Sequence, residues 1–521
     1  MAINSITFLI FVAIVCILYF IMPKKIRWCV LLIASYIYYY IASGTLIVFL
    51  LITTLSIYLL ALAMGKIDEQ TKIKGKELEK EQRKQLKKKA QTKKKWLIVL
   101  AIVINFGILA VLKYGNFMGE NLNSLLAGLK LQGQIPKFDF ILPLGISYYT
   151  LQAISYVIDV YRGKYKPDKN IARVALFTSF FPQMVEGPIG RYDDLAHQLY
   201  EPHKFEYKNA KFGLQLILWG FIKKLIIADR AGLFVNEIFG THTTGWVSLL
   251  AIILYTVQIY AEFSGCMDIV RGVAQIFGIQ MAENFKRPFF SKSVQEFWRR
   301  WHITLGTWLK DYIFYPVSFS NICIKLTNAV KKVSKGYLAK LIPAAFAMFF
   351  VWFGNGIWHG ASWKYVCYGL YYYTIMMLGM LAEPIFNNII KKLKINVQAW
   401  WYKAIQIART IGFVLIGMLI FRSQSLAAAW RMFCSIFQGS KGIDLSKIGM
   451  KPADFVVIGI GIIIILVVSI LQEKGWNIRE KISQKNIIVR WSIYYIAIFA
   501  VIILGIYGPG YSATSFIYGQ F

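Results

Sequence analysis

Histidine, cysteine and acidic residues are scarce in this chain. Its 521 residues include 5 histidines, 6 cysteines and 26 acidic residues. The cysteines lie in or beside apolar segments with no paired spacing, so the sequence does not suggest a disulfide framework. No combination of His, Cys, Asp and Glu has the spacing of a metal-ligand set, so we expect no metal ion. The few histidines leave a short set of candidates for proton transfer near neutral pH.

Charge is sparse as well. Charged residues make up 16% of the chain, whereas hydrophobic residues make up 57% and aromatic residues 16%, and the mean hydropathy is +0.51. A soluble fold of this length would expose too much apolar surface. Apolar runs of about 20 residues recur along the whole chain, and each can cross about 30 Å of hydrocarbon. The sequence therefore excludes a soluble globular protein and predicts an all-α polytopic membrane protein.

The formal net charge of +33 has a simple topological explanation. Lys and Arg cluster in short segments between the apolar runs, as the positive-inside rule requires, so we expect a lipid environment and no nucleic-acid partner. The first apolar run has no basic segment before it, and Lys24, Lys25 and Arg27 follow it. This order predicts a retained first span with the N-terminus on the extracytoplasmic side.

The apolar runs predict a single transmembrane domain that covers 1–521. We expect about 11 full crossings, because some of the runs are half-spans, together with re-entrant or interfacial helices. No repeat of fixed period is visible. The runs lie near 3–22, 28–42, 45–64, 96–113, 141–160, 172–188, 212–230, 247–263, 341–358, 363–383, 404–421, 455–471 and 490–508.

Three further segments have distinct compositions. The Lys-rich cytoplasmic loop 66–95 suits a solvated helix, which serves either as a topology anchor or to attract an anionic acyl donor. The amphipathic stretch 286–318 is predicted to be a re-entrant or interfacial element beside a funnel open to the cytoplasm. The basic segment 472–490 leaves one span before the tail 509–521, so we predict an extracytoplasmic C-terminus.

His359 is the first candidate for chemistry. It follows an apolar run among Gly354, Gly356 and Gly360, and glycines allow helices to break and backbones to approach closely. An ionisable group at membrane depth is costly, which marks it as a functional candidate. A structural role is equally compatible with this position.

His302 is the second candidate. Its neighbours Arg299 and Arg300, and the tryptophans beside them, can position an anionic or planar group. Bracing a broken helix end is an equally good explanation of this residue. The other histidines, His197, His203 and His242, lie in polar or loop stretches and are given no role.

Acidic residues also occur in apolar surroundings, namely Glu186, Glu262 and Asp268. The simpler interpretation is buried pairing, for example with Arg191 or Arg271. The functional alternative is that one of these carboxylates orients the candidate histidine or binds substrate.

Four blocks of the sequence resemble a known family. They are FPQMVEGPIGRYDDL at 181–195, YAEFSGCMDIVRG at 260–272, the block that contains FWRRWH at 283–316, and GIWHGASW at 356–363. In this order they look like the signature blocks of the bacterial membrane-bound O-acyltransferases, especially the alginate O-acetyltransferase branch and the related teichoic-acid D-alanyl transferases. The resemblance covers about 140–430.

The resemblance implies a helical bundle with a central funnel in the bacterial plasma membrane. It implies that His359 is essential for acyl transfer, that His302 is the second family histidine, and that Asp193 and Trp358 support the site. The tail FIYGQF, which contains Tyr518, resembles a C-terminal aromatic motif in which the tyrosine relays the acyl group. A plain hydrophobic tail, or one that only docks the partner, is the alternative.

The resemblance further implies an O-acyltransferase with no bound cofactor. The expected reaction moves an acetyl group from acetyl-CoA, a cytoplasmic thioester, toward hydroxyls of an extracytoplasmic polysaccharide or wall polymer, with an SGNH-type exported partner. D-alanyl transfer to teichoic acid is the alternative within this class. A transporter or flippase of an acylated intermediate is the alternative from another class, and it predicts inverted repeats, which are not visible.

Overall fold

The computed structural model describes residues 1–131, 133–241, 244–334, 336–439 and 450–507, and within these ranges the chain is helical. The only strand-like pairing among them is an isolated bridge between Phe285 and Trp301. The predicted all-α class is confirmed. The helices are α1 (Ile6–Ile21), α2 (Arg27–Ser43), α3 (Ile47–Lys74), α4 (Lys80–Leu109), α5 (Gly115–Gly128), α6 (Ile146–Tyr161), α7 (Ile171–Ser179), α8 (Phe181–Met184), α9 (Tyr192–Tyr200), α10 (Tyr207–Phe221), α11 (Asp229–Gly240), α12 (Trp246–Ile276), α13 (Val294–Arg300), α14 (Ile303–Leu309), α15 (Tyr315–Ser318), α16 (Asn321–Val333), α17 (Tyr337–His359), α18 (Trp363–Lys392), α19 (Trp400–Arg422), α20 (Leu426–Ser435), α21 (Pro452–Glu473), α22 (Ile478–Ser483) and α23 (Ile487–Leu504).

Side-chain caps fix several helix starts. The hydroxyls of Ser293 and Ser320 accept hydrogen bonds from backbone N–H groups three residues later, at the starts of α13 and α16. Asn486 caps α23 in the same way. Such caps satisfy N–H groups that the first helical turn leaves without partners.

Eight helical segments of the described chain are long and apolar enough to cross a membrane, judged by length and composition. Their outer faces carry large apolar side chains, such as Val103 at 60% exposure and Ile503 at 73%. Exposure of this kind is unfavourable in water and is expected against lipid. The eight segments are Lys24–Lys74, Lys80–Gly128, Trp246–Ile276, Tyr337–His359, Trp363–Lys392, Trp400–Arg422, Pro452–Glu473 and Ile487–Leu504.

Other predicted spans form shorter or interrupted helices. The run near 172–188 is divided between α7, with nine residues, and α8, with four. At about 1.5 Å per residue neither piece crosses the hydrocarbon, so this run is one of the half-spans. The run near 212–230 is continuous from α10 to α11 through a π-helical turn at Ile222–Ala228. The segment 286–318 contains short helices separated by breaks, and its depth in the membrane stays a prediction.

The described chain forms two compact units. The first comprises Met1–Leu214 and Val270–Ala282. In it, α3 and α4 extend to Lys74 and from Lys80, so the Lys-rich segment 66–95 is a helical hairpin with a short turn. Nζ of Lys94, on α4, lies 2.8 Å from a carboxylate oxygen of Asp68, on α3. This ion pair joins the two helices of the hairpin.

The second unit comprises the described residues of Gln215–Ile269 and Glu283–Phe521. Two of the acidic residues noted in the sequence are paired here. Glu262 lies 2.9 Å from Nζ of Lys224, and Asp268 lies 2.5 Å from Nζ of Lys223, on the π-helical turn. The expected pairing of these buried carboxylates is confirmed, with lysine partners. The core of this unit is rich in aromatic residues from α12, α13, α17, α18 and α19, and it holds both candidate histidines.

Candidate active site

His359 is the last residue of α17 and only 3% of it is exposed. Gly360 follows with extended backbone and ends the helix, while its N–H donates to the carbonyl of Ile357. The imidazole therefore projects from a helix terminus into the protein interior.

Close packing of α17 on α18 fixes this terminus. A Cβ atom added to Gly356 would lie 2.5 Å from the carbonyl oxygen of Tyr365, and one added to Gly369 would lie 2.2 Å from the carbonyl oxygen of Trp352. Real Cβ atoms do not approach backbone so closely, so only glycine fits at either position. The two helix backbones meet directly beside His359.

Aromatic rings surround the imidazole of His359. The ring centroids of Tyr368 and Phe421 lie 5.6 and 5.1 Å from its centroid, both nearly perpendicular to it. Trp358 lies at 5.1 Å and Tyr365 at 6.4 Å. These rings restrict the rotamers of the imidazole and exclude water from its surroundings, which strengthens electrostatic interactions there.

His302 lies between α13 and α14, outside the membrane-spanning helices, and is 2% exposed. Its backbone is left-handed, with φ 46° and ψ 52°. This conformation is unfavourable for a residue with a Cβ, and it persists where the surrounding structure enforces it. Burial lowers the pKa of His302 to about 3, so this imidazole is neutral at physiological pH.

Asn284 enforces the turn at His302. Its carbonyl accepts from the N–H of Ile303 at 3.1 Å, and its Oδ1 accepts from the N–H and the hydroxyl of Thr304 at 2.9 and 2.7 Å. Its Nδ2 donates to the sulfur of Met267 at 3.1 Å. Asn284 is 1% exposed. The sequence analysis missed this residue, although an asparagine within the aromatic block ENFKRPFF was a signal.

Trp358 connects the two histidines. Its ring lies 5.7 Å from that of His302 and 5.1 Å from that of His359. Phe263 of α12 packs on the other side of His302 at 4.8 Å. The structure therefore brings together three of the predicted site residues in one buried cluster.

The two predicted arginines differ in their surroundings. Arg299 is exposed. Arg300 donates to Glu296 at 2.8 Å and to Glu473 at 3.2 Å, and Arg287 donates to the same Glu473 at 2.5 Å. Arg300 thus takes part in an ion-pair cluster that joins this segment to α21. Its predicted role in binding substrate stays a prediction.

Asp193 lies in the first unit, in the first turn of α9. Its carboxylate is 2.7 Å from Nζ of Lys164. Partial burial lowers the pKa of Lys164, but the hydrogen bond to Asp193 and the charges of Asp159, Asp193 and Asp194 outweigh it and raise this pKa above its ordinary value. Asp193 is thus part of a charged cluster, and its support of catalysis stays a prediction.

His197 is exposed and His203 is half-buried, both in the first unit. His242 and Tyr518 lie outside the described residues.

Comparison with known proteins identifies the family of this chain. Residues 167–326 match the family model of the membrane-bound O-acyltransferase family. A protein of Pseudomonas syringae pv. tomato named "Probable alginate O-acetylase AlgI" is 31% identical over 84% of this chain and 76% of its own length. The peptidoglycan O-acetyltransferase of Helicobacter pylori is 27% identical over 70% of this chain and 68% of its own length. The teichoic acid D-alanyltransferase of Bacillus subtilis is 31% identical over 55% of this chain and 70% of its own length. The apolar helices, the buried pair of histidines and these relatives lead to one assignment: the chain belongs to the membrane-bound O-acyltransferase family and is a multi-pass membrane O-acyltransferase.

Proposed function

We propose that the chain is an O-acetyltransferase that uses acetyl-CoA from the cytoplasm and serves hydroxyls of an extracytoplasmic polysaccharide or cell-wall polymer. The observation that carries this proposal is the placement of His359, an imidazole buried at a helix terminus with a second imidazole one indole ring away. Imidazole is well matched to removing a hydroxyl proton near neutral pH.

His359 acts as the general base. It takes the proton of the attacking hydroxyl while the hydroxyl oxygen bonds to the thioester carbonyl carbon. The carbon–sulfur bond then breaks, and the imidazolium returns the proton to the departing thiolate. The products are an ester and free coenzyme A, and His359 ends as it began. His302, being neutral, supports this step by hydrogen bonding.

The relatives favour acetyl over D-alanyl transfer. The probable alginate O-acetylase of Pseudomonas syringae matches 84% of this chain, whereas the D-alanyltransferase of Bacillus subtilis matches 55%. A longer shared segment includes more of the surfaces that select donor and acceptor.

The acyl group needs a carrier between the two sides of the membrane. With both termini extracytoplasmic, Tyr518 attacks the thioester through its phenol oxygen, gives its proton to His359 and forms an aryl ester. A phenol of pKa near 10 is a better leaving group than an aliphatic alcohol. An SGNH-type extracytoplasmic partner then moves the acetyl group from Tyr518 to the polymer.

Membranes supplied with radiolabelled acetyl-CoA test the proposal. We expect the wild type to transfer label to a hydroxyl acceptor, the His359→Gln variant to lose transfer by at least about 10²-fold, and the His197→Gln variant, a matched control at an exposed histidine, to retain it. Activity of His359→Gln within about threefold of the wild type would reject His359 as the base. Wild-type membranes that use a D-alanyl thioester and ignore acetyl-CoA would reject the acetyl donor.

A further inference from the structure

Two buried N–H donors near His359 have no hydrogen-bond partner within the described part of the chain. They are Nδ2 of Asn355 and Nε1 of Trp298. Asn355 is only 4% exposed. A buried donor left in this state typically costs about 1–3 kcal/mol, and an apolar side chain of similar volume would avoid this cost.

Both donors belong to the aromatic cluster around His359. On α17, Asn355 follows Trp352 by three residues and precedes His359 by four, so the three side chains share one face of the helix. The ring of Trp298 lies 5.1 Å from that of Trp352. It also lies 6.3 Å from the ring of Tyr368, which in turn contacts His359.

We propose that the Asn355 amide, assisted by the Trp298 indole, donates hydrogen bonds to the oxyanion that forms from the thioester carbonyl. This inference deepens the proposed function, because it rests on His359 as the base that takes the proton of the attacking hydroxyl. Nucleophilic attack moves the electrons of the C=O bond onto oxygen. Donors placed beforehand in a water-poor site stabilise that negative charge more strongly than they stabilise the neutral carbonyl.

The two donors differ from His359 in one measurable respect. Neither an amide nor an indole N–H titrates near neutral pH. Loss of either donor therefore lowers the maximal rate at every pH and leaves the apparent pKa of the pH–rate profile in place. A disturbance of His359 itself would shift that profile.

The test uses full-length variants in membranes, with radiolabelled acetyl-CoA as donor and protein abundance measured in parallel. Asn355→Leu keeps the volume and removes the donor, and we expect about a 10²–10³-fold lower kcat with little change in KM. Trp298→Phe keeps a ring, and its kcat should fall by more than about tenfold. Trp352→Phe is the matched control for loss of an indole in the same cluster and should stay within about threefold.

Three results would overturn the proposal. They are an Asn355→Leu variant within about threefold of the wild type, a shifted pH–rate profile in that variant, or equal losses in Trp298→Phe and Trp352→Phe. If Asn355→Leu is absent from membranes, Asn355→Ala decides: alanine has no side-chain donor, and activity within about threefold of the wild type there would also reject the proposal.

An error in the proposed acyl donor, acetyl-CoA, can be distinguished from an error in the proposed role of Asn355 and Trp298. If wild-type membranes do not use acetyl-CoA, the acetyl donor is wrong. The same variants are then ranked in cells by the initial rate at which alkali-labile acyl groups appear on surface polymer. That ranking needs no assumption about the donor, and the same order of activities is expected.

Discussion

Replacement of Asn284 by alanine tests whether the turn at His302 is held from outside its own segment. The substitution keeps the backbone carbonyl that accepts from Ile303, but it removes the Oδ1 atom that accepts from the N–H and hydroxyl of Thr304 at 2.9 and 2.7 Å. The contact of Nδ2 with the sulfur of Met267 is lost as well.

The lost contacts set the expected destabilisation of the turn and the expected loss of rate. Each hydrogen bond contributes about 1 kcal/mol net, so two lost bonds destabilise the turn by about 2 kcal/mol. The left-handed backbone of His302 itself costs about 1–3 kcal/mol, which is similar to what the lost bonds supplied. We therefore expect the turn to relax toward an ordinary conformation and to move the imidazole. A displacement of about 1 Å at a reacting group can lower a rate by about 10²-fold.

The assay compares Asn284→Ala with Asn284→Asp, whose carboxylate retains both accepting positions. Initial rates of acyl transfer in membranes are normalised to protein abundance, and thermal stability is measured in detergent. We expect Asn284→Ala to lose about 10- to 100-fold in rate and Asn284→Asp to retain most of it. Equal rates in Asn284→Ala and the wild type would refute the argument that this asparagine holds His302 in place.

Five further predictions concern His359, His302, Gly356 and Tyr518. His359→Ala should abolish acyl transfer, by about 10²–10⁴-fold, at normal membrane abundance, and a loss of less than threefold would contradict this. His302→Asn, which tolerates the left-handed backbone, should be as abundant as the wild type; if it is also fully active, His302 only braces the turn. Burial lowers the His302 pKa from 6.5 to about 3, so the unfolded state binds more protons than the folded state between pH 3 and pH 6.5. The free energy of unfolding should therefore fall as the pH drops below about 6.5. This fall should be weaker in His302→Asn. Gly356→Ala should lower stability and activity, since the new Cβ would lie 2.5 Å from a backbone oxygen, whereas Gly459→Ala, with open space around the new atom, should do neither. Tyr518→Phe should abolish acylation of the polymer, as measured by alkali-released acetate, and normal acylation would leave the tail only a docking role.

The sequence predicted the parts of the site that carry an unusual chemical signature. An imidazole at the end of an apolar run is costly, so His359 was identifiable from its surroundings, and His302 was identifiable from the arginines and tryptophans beside it. The GIWHGASW block also placed Trp358 beside His359 along the chain. Their convergence around one indole ring required the folded structure, because 57 positions separate the histidines in the numbering.

The residues that the sequence analysis missed are neutral polar groups. Asn284 and Asn355 carry no charge, and asparagine in an apolar block has many structural explanations, such as a helix cap or a turn. Asn284 is informative only because its side chain reaches Thr304, twenty positions away. Asn355 is informative only because Nδ2 is buried without a partner in the described chain. Neither property can be inferred from one sequence.

The sequence predicted that some apolar runs are interrupted, but it did not predict which runs or at which residues. Hydropathy alone treats 172–188 as a span, yet the chain leaves the helix at Phe180, and Pro182 occupies the first turn of α8. Proline fits a first turn because it lacks the N–H that this turn leaves unpaired. The π-helical turn at Ile222–Ala228 has no comparable signal, because its lysines Lys223 and Lys224 find carboxylate partners on α12 only in the folded unit.

Both imidazoles lie at helix ends, and this placement has a physical reason. Inside a membrane helix, backbone groups bond to one another and side chains point outward around the axis, so a substrate meets only side-chain surface. At a terminus the next residues turn away and leave room for a reacting group beside the side chain. His359 ends α17 and His302 precedes α14. Buried N–H groups at the start of a helix need hydrogen-bond partners within the protein, and the bonds from Ile303 and Thr304 to Asn284 provide them for α14. The helix ends at His359 and His302 therefore offer the side-chain surface that the proposed acyl transfer requires.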